Sequence, residues 1–226
     1  MTVYRLTKKL IFPPPQLADD DGLLAVGGDL SVERLVLAYS MGIFPWYSDG
    51  TPILWWSPDP RLVLIPAELK VSKTLKQTIR KGVFRVTTNQ AFEEVIRSCA
   101  TVKRKGEQGT WITEEMIEAY IHLHKAGWAH SVESWDGDEL AGGLYGVMMG
   151  RVFFGESMFA GKTDASKVAF AVYMAELAQK GFELIDCQVA TEHLKRFGAK
   201  EIPRAEFMER LHKALSCLHG PKFQGR

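Results

Sequence analysis

The sequence predicts an α+β fold built from a small N-terminal domain and a larger C-terminal domain. The chain has 226 residues, of which 46% are hydrophobic and 24% are charged. That length and composition allow a full core and are not those of a disordered chain. Prolines and tryptophans crowd the first sixty residues, whereas regular helix and strand patterns follow. We therefore place the domain boundary near Arg61, which gives domains 1–61 and 62–226.

The N-terminal domain is expected to contain much loop and one helix. Proline removes a backbone hydrogen-bond donor and restricts the residue before it, so the proline-rich stretches interrupt regular structure. Ser31 is a candidate N-cap, and Gly42 is a typical residue just beyond a helix end. Between them, apolar residues such as Leu35 and Tyr39 recur at helical spacing. The pattern predicts a helix between Ser31 and Gly42.

Helices and strands are predicted in a regular order in the C-terminal domain. Cap residues and acidic first turns mark the helix starts, and glycines mark their ends. The turn signals Asp136-Gly137 and Gly150 separate three strands that form an antiparallel meander. The predicted elements are a basic helix capped by Ser72, strand Phe84–Thr88, a helix capped by Asn89 and ending near Ala100, helix Thr113–Gly127, strands Ala129–Trp135, Glu139–Met149 and Arg151–Phe159, helix Asp164–Lys180, strand Glu183–Val189, helix Glu192–Phe197 and helix Ala205–Leu215.

A meander followed by a helix, a strand and further helices is an α+β layout. It resembles the order of elements in acyltransferases of the GCN5-related N-acetyltransferase type. This likeness concerns the fold and does not determine the chemistry.

Composition excludes several classes of protein. No apolar run approaches the ~18 residues that cross a bilayer, and no apolar signal-peptide core follows the N-terminus, so we expect a cytoplasmic protein without membrane partners. Cys99, Cys187 and Cys217 are far apart and contain no C-x-x-C pair, which argues against a disulfide framework and a cysteine zinc site. The histidines lack metal-ligand spacing. We expect no metal, no cofactor and a monomer.

A basic stretch is the main irregularity in charge. The net charge is +1, yet residues 69–92 contain no Asp or Glu. Clustered Lys and Arg provide the sequence-independent part of nucleic-acid affinity, although a solvated helix face is an equally good interpretation of an isolated run. A second basic group, Lys103-Arg104-Lys105, follows. The candidate phosphate-binding residues of the stretch are Lys73, Lys76, Arg80, Lys81 and Arg85.

Two polar residues, Asp186 and Gln188, interrupt an apolar predicted strand. Alternation along a strand places them on one side, with Ile185 and Cys187 on the other. If buried, both must be hydrogen-bonded, because an unpaired buried polar group costs several kcal/mol. One interpretation is a structural pair. The other is catalytic: Gln188 accepts a hydrogen bond from an incoming amine while Asp186 orients and polarises it.

Glu156 is a lone carboxylate in the apolar run 152–159. It is a candidate partner for a structural lysine or for the α-amino group of an amino-acid ligand. Phe153, Met158, Leu144 and Ile185 are candidates for an apolar pocket around it, although such residues most often belong to a core.

Six sequence motifs resemble those of the leucyl/phenylalanyl-tRNA–protein transferase family. Their order and spacing are similar from about residue 10 to residue 210, which is nearly the whole chain. Several motifs in order are far more specific than any one of them. The motifs are Gly22-Leu23-Leu24-Ala25-Val26-Gly27-Gly28-Asp29-Leu30 with Gly42-Ile43-Phe44-Pro45-Trp46, Leu54-Trp55-Trp56-Ser57-Pro58-Asp59-Pro60-Arg61, Gly109-Thr110-Trp111-Ile112-Thr113, Gly142-Gly143-Leu144-Tyr145-Gly146-Val147, Gly155-Glu156-Ser157-Met158-Phe159 and Leu184-Ile185-Asp186-Cys187-Gln188.

The resemblance implies an enzyme that transfers Leu or Phe, and less readily Met, from aminoacyl-tRNA to proteins that begin with Lys or Arg, creating an N-terminal degradation signal. It implies that the terminal adenosine stacks on Trp46 and Trp111, which agrees with aromatic stacking as a sequence-tolerant way to hold a base. It also implies that Glu156 holds the α-amino group and that the basic stretch binds the acceptor stem. The implied side-chain pocket consists of Leu144, Phe153, Met158, Tyr173 and Ile185.

Two other functions stay open on the sequence. An acetyl-CoA-dependent N-acetyltransferase would suit the fold, but the segment Gly161–Lys167 lacks the paired glycines expected of a pyrophosphate loop. A non-catalytic RNA-binding protein would use the tryptophans and the basic stretch.

Overall fold

The computed structural model describes residues 3–102 and 111–216 of the chain. Three predicted features fall wholly or partly outside those residues. They are the second basic group, Lys103-Arg104-Lys105, the first two residues of the Gly109–Thr113 motif, and Cys217.

The N-terminal part forms a four-stranded sheet and one helix, α1, Val32–Ser40. The predicted helix is confirmed, and its cap is as expected, since the Ser31 hydroxyl accepts the Arg34 N–H at 3.4 Å. The strands were not predicted, because three of them have only two or three residues and the five residues of the other, Leu23–Gly27, do not alternate between apolar and polar. In spatial order β1-β2-β4-β3, they are β1 Tyr4–Leu6, β2 Leu23–Gly27, β3 Phe44–Pro45 and β4 Leu54–Trp56.

A seven-stranded sheet forms the larger part, in the order β11-β5-β10-β9-β8-β7-β6. The predicted antiparallel meander, β7 to β9, is confirmed, and β10 runs parallel to β9. The α+β prediction is confirmed by this arrangement. The strands are β5 Arg61–Leu64, β6 Arg85–Thr88, β7 Ala129–Asp136, β8 Glu139–Met149, β9 Val152–Ala160, β10 Leu184–Gln188 and β11 Lys200–Ile202.

The described residues of the larger part contain six further α-helices, all at predicted positions to within a few residues. Ser72 and Thr113 cap α2 and α4 as predicted, each accepting a backbone N–H from three residues on. No helix in residues 3–102 or 111–216 is long and apolar enough to span a membrane. The helices are α2 Lys73–Arg80, α3 Phe92–Thr101, α4 Glu114–Lys125, α5 Ala165–Gln179, α6 Glu192–Arg196 and α7 Arg204–Ser216.

One predicted cap, Asn89, is wrong. Helix α3 begins three residues later, and Asn89 takes a left-handed conformation (φ 59°) in which its side-chain oxygen accepts the Ser131 N–H at 3.0 Å. The buried Glu133 carboxylate accepts the Ala91 N–H at 3.3 Å instead. A carboxylate from β7 therefore does what a local cap was expected to do, which a local pattern does not reveal.

The two faces of the large sheet have separate cores. One face packs against α5 and α2, and the other packs against α3, α4, α7 and the N-terminal part. The latter core contains Tyr39 of α1, Trp55 of β4 and Phe154 of β9 in one cluster. Because apolar contacts cross position 61 in this way, the boundary between 1–61 and 62–226 stays a prediction.

Candidate active site

A cavity of about 430 Å³ opens where strands β9 and β10 part. Residues Leu184–Asp186 of β10 pair in parallel with Val152–Phe154 of β9, and both strands continue beyond this paired stretch. Beyond that point, residues of both strands line the cavity. A gap between two strands inside one sheet is suited to binding a ligand, because it forms a concave pocket lined by residues of both strands.

A β-bulge sets the course of β9 beside the cavity. The register between β8 and β9 shifts between Tyr145 and Gly146. A Cβ at Gly146 would lie 2.2 Å from the carbonyl oxygen of Phe154, so only glycine fits there. At this point β9 has one residue more than β8, and the extra, unpaired residue is Glu156. A bulge re-aims the side chain at its position, and Glu156 here lines the cavity.

The apolar wall contains four of the five predicted pocket residues. Leu144, Phe153, Met158 and Ile185 line the cavity. The fifth, Tyr173, does not; it lies behind Phe153, with ring centroids 5.3 Å apart and edge to face. Other lining residues were missed, and three of them come from α5 and α6, because nothing in the sequence shows that these helices close this end: Phe170, His193 and Leu194.

Both predicted base-stacking tryptophans line the cavity. Trp46 is 38% exposed, so a large aromatic face meets solvent at the mouth. Its position is fixed by Trp56, whose indole N–H donates to the Trp46 carbonyl at 2.6 Å. Trp111 lines the same cavity from the segment that precedes α4. Two indole rings therefore line the same cavity.

Glu156 lies at the inner end of the cavity and is 8% exposed. Its Oε1 accepts a hydrogen bond from Nε2 of Gln188 at 2.8 Å, and its Oε2 accepts one from the Tyr120 hydroxyl at 3.2 Å. Burial raises the pKa of Glu156 to about 7, and these donors oppose that rise. No lysine pairs with Glu156 among the described residues.

The amide of Gln188 has a defined orientation. An ionised carboxylate only accepts hydrogen bonds, so the amide nitrogen must face Glu156. The amide oxygen is then the end available to a ligand, and Gln188 lines the cavity. Gln188 also has a left-handed backbone, with φ 61°, and its N–H donates to Oδ1 of Asp186 at 2.9 Å. A strained, non-glycine backbone that is over-determined by its partners is typical of functional sites.

Asp186 does not line the cavity. It is fully buried, and its two oxygens accept Nε and Nη2 of Arg61 at 2.8 and 2.6 Å. This placement fits the predicted orienting of Gln188 through its backbone. Because it is buried and paired with Arg61, Asp186 does not contact the incoming amine that it was expected to polarise.

Arg61 was not among the predicted site residues. Its guanidinium lies between the rings of Phe44 and Phe207, 4.7 and 4.6 Å from their centroids. The sequence showed only that Asp186, a carboxylate on an apolar strand, required a hydrogen-bonding partner. Nothing local pointed to a residue 125 positions away.

Cys187 lines the cavity but is not suited to nucleophilic catalysis. Burial, followed by the nearby Asp186 charge, raises the pKa of its thiol well above the ordinary value. A reactive cysteine needs a lowered pKa, since the thiolate is the nucleophile. Cys187 is therefore not a candidate nucleophile.

The predicted phosphate-binding residues are exposed. Lys73, Lys76 and Arg80 lie on α2, with Lys81 directly after it and Arg85 on β6. None of the five forms an ion pair with a described carboxylate. Arg85 stacks on the Trp135 ring at 5.4 Å. Helix α2 packs on α5, which also contributes Phe170 to the cavity wall.

The start of α5 is closed by the neighbouring strands. A Cβ at Gly142 of β8 would lie 2.9 Å from the Ser166 backbone nitrogen, and the Ser134 hydroxyl donates to the Ala165 carbonyl at 2.8 Å. Anions bind at a helix N-terminus through its exposed N–H groups. With β8 so close to this turn, the geometry does not favour a coenzyme A pyrophosphate there.

Comparison with known proteins identifies a family. The family described as leucyl/phenylalanyl-tRNA protein transferase matches residues 63–212, and the N-terminal domain of that family matches residues 28–59. Two curated proteins named leucyl/phenylalanyl-tRNA–protein transferase are similar over the whole chain. The protein of Anaeromyxobacter sp. (strain Fw109-5) is 61% identical over 226 residues, covering 95% of its length, and that of Syntrophobacter fumaroxidans is 59% identical, covering 97%. The chain belongs to the leucyl/phenylalanyl-tRNA–protein transferase family.

Proposed function

We propose that this protein transfers leucine or phenylalanine from aminoacyl-tRNA to the N-terminus of acceptor proteins, with the cavity between β9 and β10 as the site of transfer. Family membership supports the reaction. The observation that carries the site is one cavity lined by two tryptophans, an apolar wall and the linked pair Glu156 and Gln188.

The cavity suits the aminoacyl-adenosine end of a charged tRNA. We place the adenine on Trp46 and Trp111, because stacking contributes about 1–3 kcal/mol per base. The aminoacyl side chain occupies the wall of Leu144, Phe153, Met158 and Ile185. An apolar pocket separates side chains that differ by a methylene by only about 1–3 kcal/mol, which suits the use of Leu, Phe and, less readily, Met. Tyr173 shapes this pocket through Phe153.

The chemistry is aminolysis of an ester. The acceptor amine forms a C–N bond to the aminoacyl carbonyl, the ester C–O bond breaks, and the proton lost by the amine ends on the ribose oxygen. In our proposal the Gln188 amide oxygen accepts a hydrogen bond from the attacking amine, and Glu156 holds the donor's α-amino group. Positioning of two reactants can contribute about 7–11 kcal/mol, so no covalent intermediate is needed.

The proposal includes acceptors that begin with Lys or Arg, which would thereby gain an N-terminal degradation signal. It also includes a monomeric state. A cytoplasmic location is proposed because charged tRNA is the donor.

A transfer assay tests this function. Radiolabelled Phe or Leu on tRNA is incubated with a peptide that begins with Arg, and a peptide that begins with Glu is the matched control. We expect label in the Arg peptide and little in the Glu peptide. Transfer of acetyl groups from acetyl-CoA without tRNA would instead support an N-acetyltransferase. Binding of tRNA without any transfer would support a non-catalytic RNA-binding protein.

The basic helix gives a separate prediction about tRNA affinity. In the triple variant Lys73→Ala, Lys76→Ala, Arg80→Ala, we expect weaker binding of Phe-tRNA, because each cation that contacts a phosphate releases counterions. The slope of log affinity against log salt should become shallower by roughly one per lost contact. Filter binding over a range of salt measures both.

A charge-matched control uses cations that are already paired. Arg97, Lys180 and Arg210 each form an ion pair with a glutamate. Replacing these three by alanine removes the same formal charge and should leave the salt slope close to that of the wild type. Equal effects of the two triple variants would remove α2 as the tRNA-binding element.

A further inference from the structure

We propose that Tyr39 and Tyr120 are positioning residues for the transfer, whose hydroxyls form a chain that holds the Glu156 carboxylate against the amide of Gln188. This inference rests on the proposed function of the cavity. Neither tyrosine lines the cavity, so they act through Glu156 and not on a substrate.

The chain joins residues from three elements. The hydroxyl of Tyr39, on α1, is hydrogen-bonded to the hydroxyl of Tyr120, on α4. The Tyr120 hydroxyl is in turn hydrogen-bonded to Glu156 Oε2, on β9. Because an ionised carboxylate cannot donate, the donors must run from Tyr39 to Tyr120 to Glu156. Both tyrosines have no exposed surface, so water does not replace either hydroxyl.

This direction of donation determines what Gln188 presents. With Oε2 occupied by Tyr120, the other oxygen of Glu156 faces the Gln188 amide nitrogen at 2.8 Å. The amide oxygen then turns to the cavity, where the proposed reaction needs an acceptor. If Glu156 were protonated, it could donate to the amide oxygen, and the amide would no longer be fixed in this orientation.

The charges around Glu156 make its ionised form sensitive to these donors. Burial raises its pKa to about 7, while the hydroxyls of Tyr39 and Tyr120 lower it, Asp186 raises it and Gln188 lowers it. On β5, Arg61 is paired with Asp186, and on β8 the ring of Tyr145 lies edge to face against Tyr120 with centroids 5.7 Å apart. Among these groups, the tyrosine hydroxyls can be removed one at a time with almost no change in side-chain shape.

The test is the pH profile of kcat for Tyr120→Phe, Tyr39→Phe and the double variant. We expect the wild-type protein to lose activity as pH falls through the pKa of Glu156, because the carboxylate then becomes protonated. Loss of a hydrogen bond that favours the ionised form raises that pKa, so the acid limb should move to higher pH. We expect a shift of about one pH unit for either single variant, the size of one hydrogen bond to a charged group, and a larger shift for the double variant.

Recovery at high pH separates positioning from a structural role. At a pH about two units above the Glu156 pKa, the carboxylate is ionised in every variant, and kcat should return to within about twofold of the wild type. A structural defect would lower kcat at all pH values. Acceptor amine and tRNA are the same in each reaction, so a difference between the acid limbs belongs to the protein.

Tyr47→Phe is the matched control. Tyr47 is also buried, and its hydroxyl donates to a different carboxylate, Glu115, at 3.0 Å. Its variant should keep the wild-type acid limb. Identical acid limbs for wild type, Tyr120→Phe and the double variant would overturn the inference while leaving the function in place. Absence of transfer by the wild type would overturn the proposed function itself.

Discussion

Replacing Arg61 by alanine should lower the free energy of unfolding by about 3–5 kcal/mol, the expected effect of removing one partner of a buried ion pair. The reason is that Asp186 is fully buried and both of its oxygens are hydrogen-bonded to Arg61. The variant leaves that charge without its partner and empties the space between Phe44 and Phe207. Urea denaturation followed by tryptophan fluorescence measures the change.

Two other variants make the result specific. Arg61→Lys keeps the charge but not the forked geometry that bonds both carboxylate oxygens, so its stability should lie between those of Arg61→Ala and the wild type. Arg97→Ala removes an exposed arginine that pairs with Glu93 and Glu114, and exposed pairs contribute little to stability. If Arg61→Ala were no less stable than Arg97→Ala, the buried pair would not hold this part of the fold.

Replacing Gln188 by alanine should lower kcat by about 10²-fold, because removing one positioned hydrogen-bonding group from a reaction site typically costs about 10²–10³-fold. The KM for aminoacyl-tRNA should change little, since tryptophans, apolar wall and basic helix are intact. This split between kcat and KM is the mark of a group that acts in the reaction and not in donor binding. Single-turnover transfer from Phe-tRNA to an Arg-starting peptide measures it.

The left-handed backbone at Gln188 supplies a control for folding. Gln188→Gly removes the same amide but also relieves the backbone strain of the positive φ, which costs a non-glycine residue about 1 kcal/mol or more. The glycine variant should therefore be at least as stable as Gln188→Ala and equally slow. Full activity in either variant would show that the amide takes no part in transfer.

Elements with local signals were predictable from the sequence. Ser31, Ser72 and Thr113 each cap the helix that follows, because capping depends on residues within one turn. The meander was predictable for a similar reason, since Asp136-Gly137 and Gly150 mark its turns. Strands of two or three residues, such as β3 and β11, carry no period, and they exist only because a neighbouring strand pairs with them.

The site was predictable in its parts but not in its connections. Asp186 on an apolar strand required a hydrogen-bonding partner, yet its identity, Arg61, depends on the pairing of β5 with β10. Tyr39 fitted the apolar face of a predicted helix and was interpreted as part of its apolar pattern, which gave no role to its hydroxyl. Their positions as polar residues in apolar runs pointed to Glu156 and Gln188, and the resemblance to a family added their roles. Their contact depends on where β9 and β10 part, which no local pattern contains.

The central claim is that the cavity between β9 and β10 holds the aminoacyl-adenosine end of the donor. A crystal structure with a stable phenylalanyl-adenosine, in which an amide replaces the ester, tests it most directly. We expect the adenine in contact with Trp46 or Trp111, the benzyl ring among Leu144, Phe153, Met158 and Ile185, and the reacting carbonyl beside Gln188. An analogue bound outside this cavity, or inside it with the benzyl ring on the tryptophans and the adenine against the apolar wall, would contradict the account.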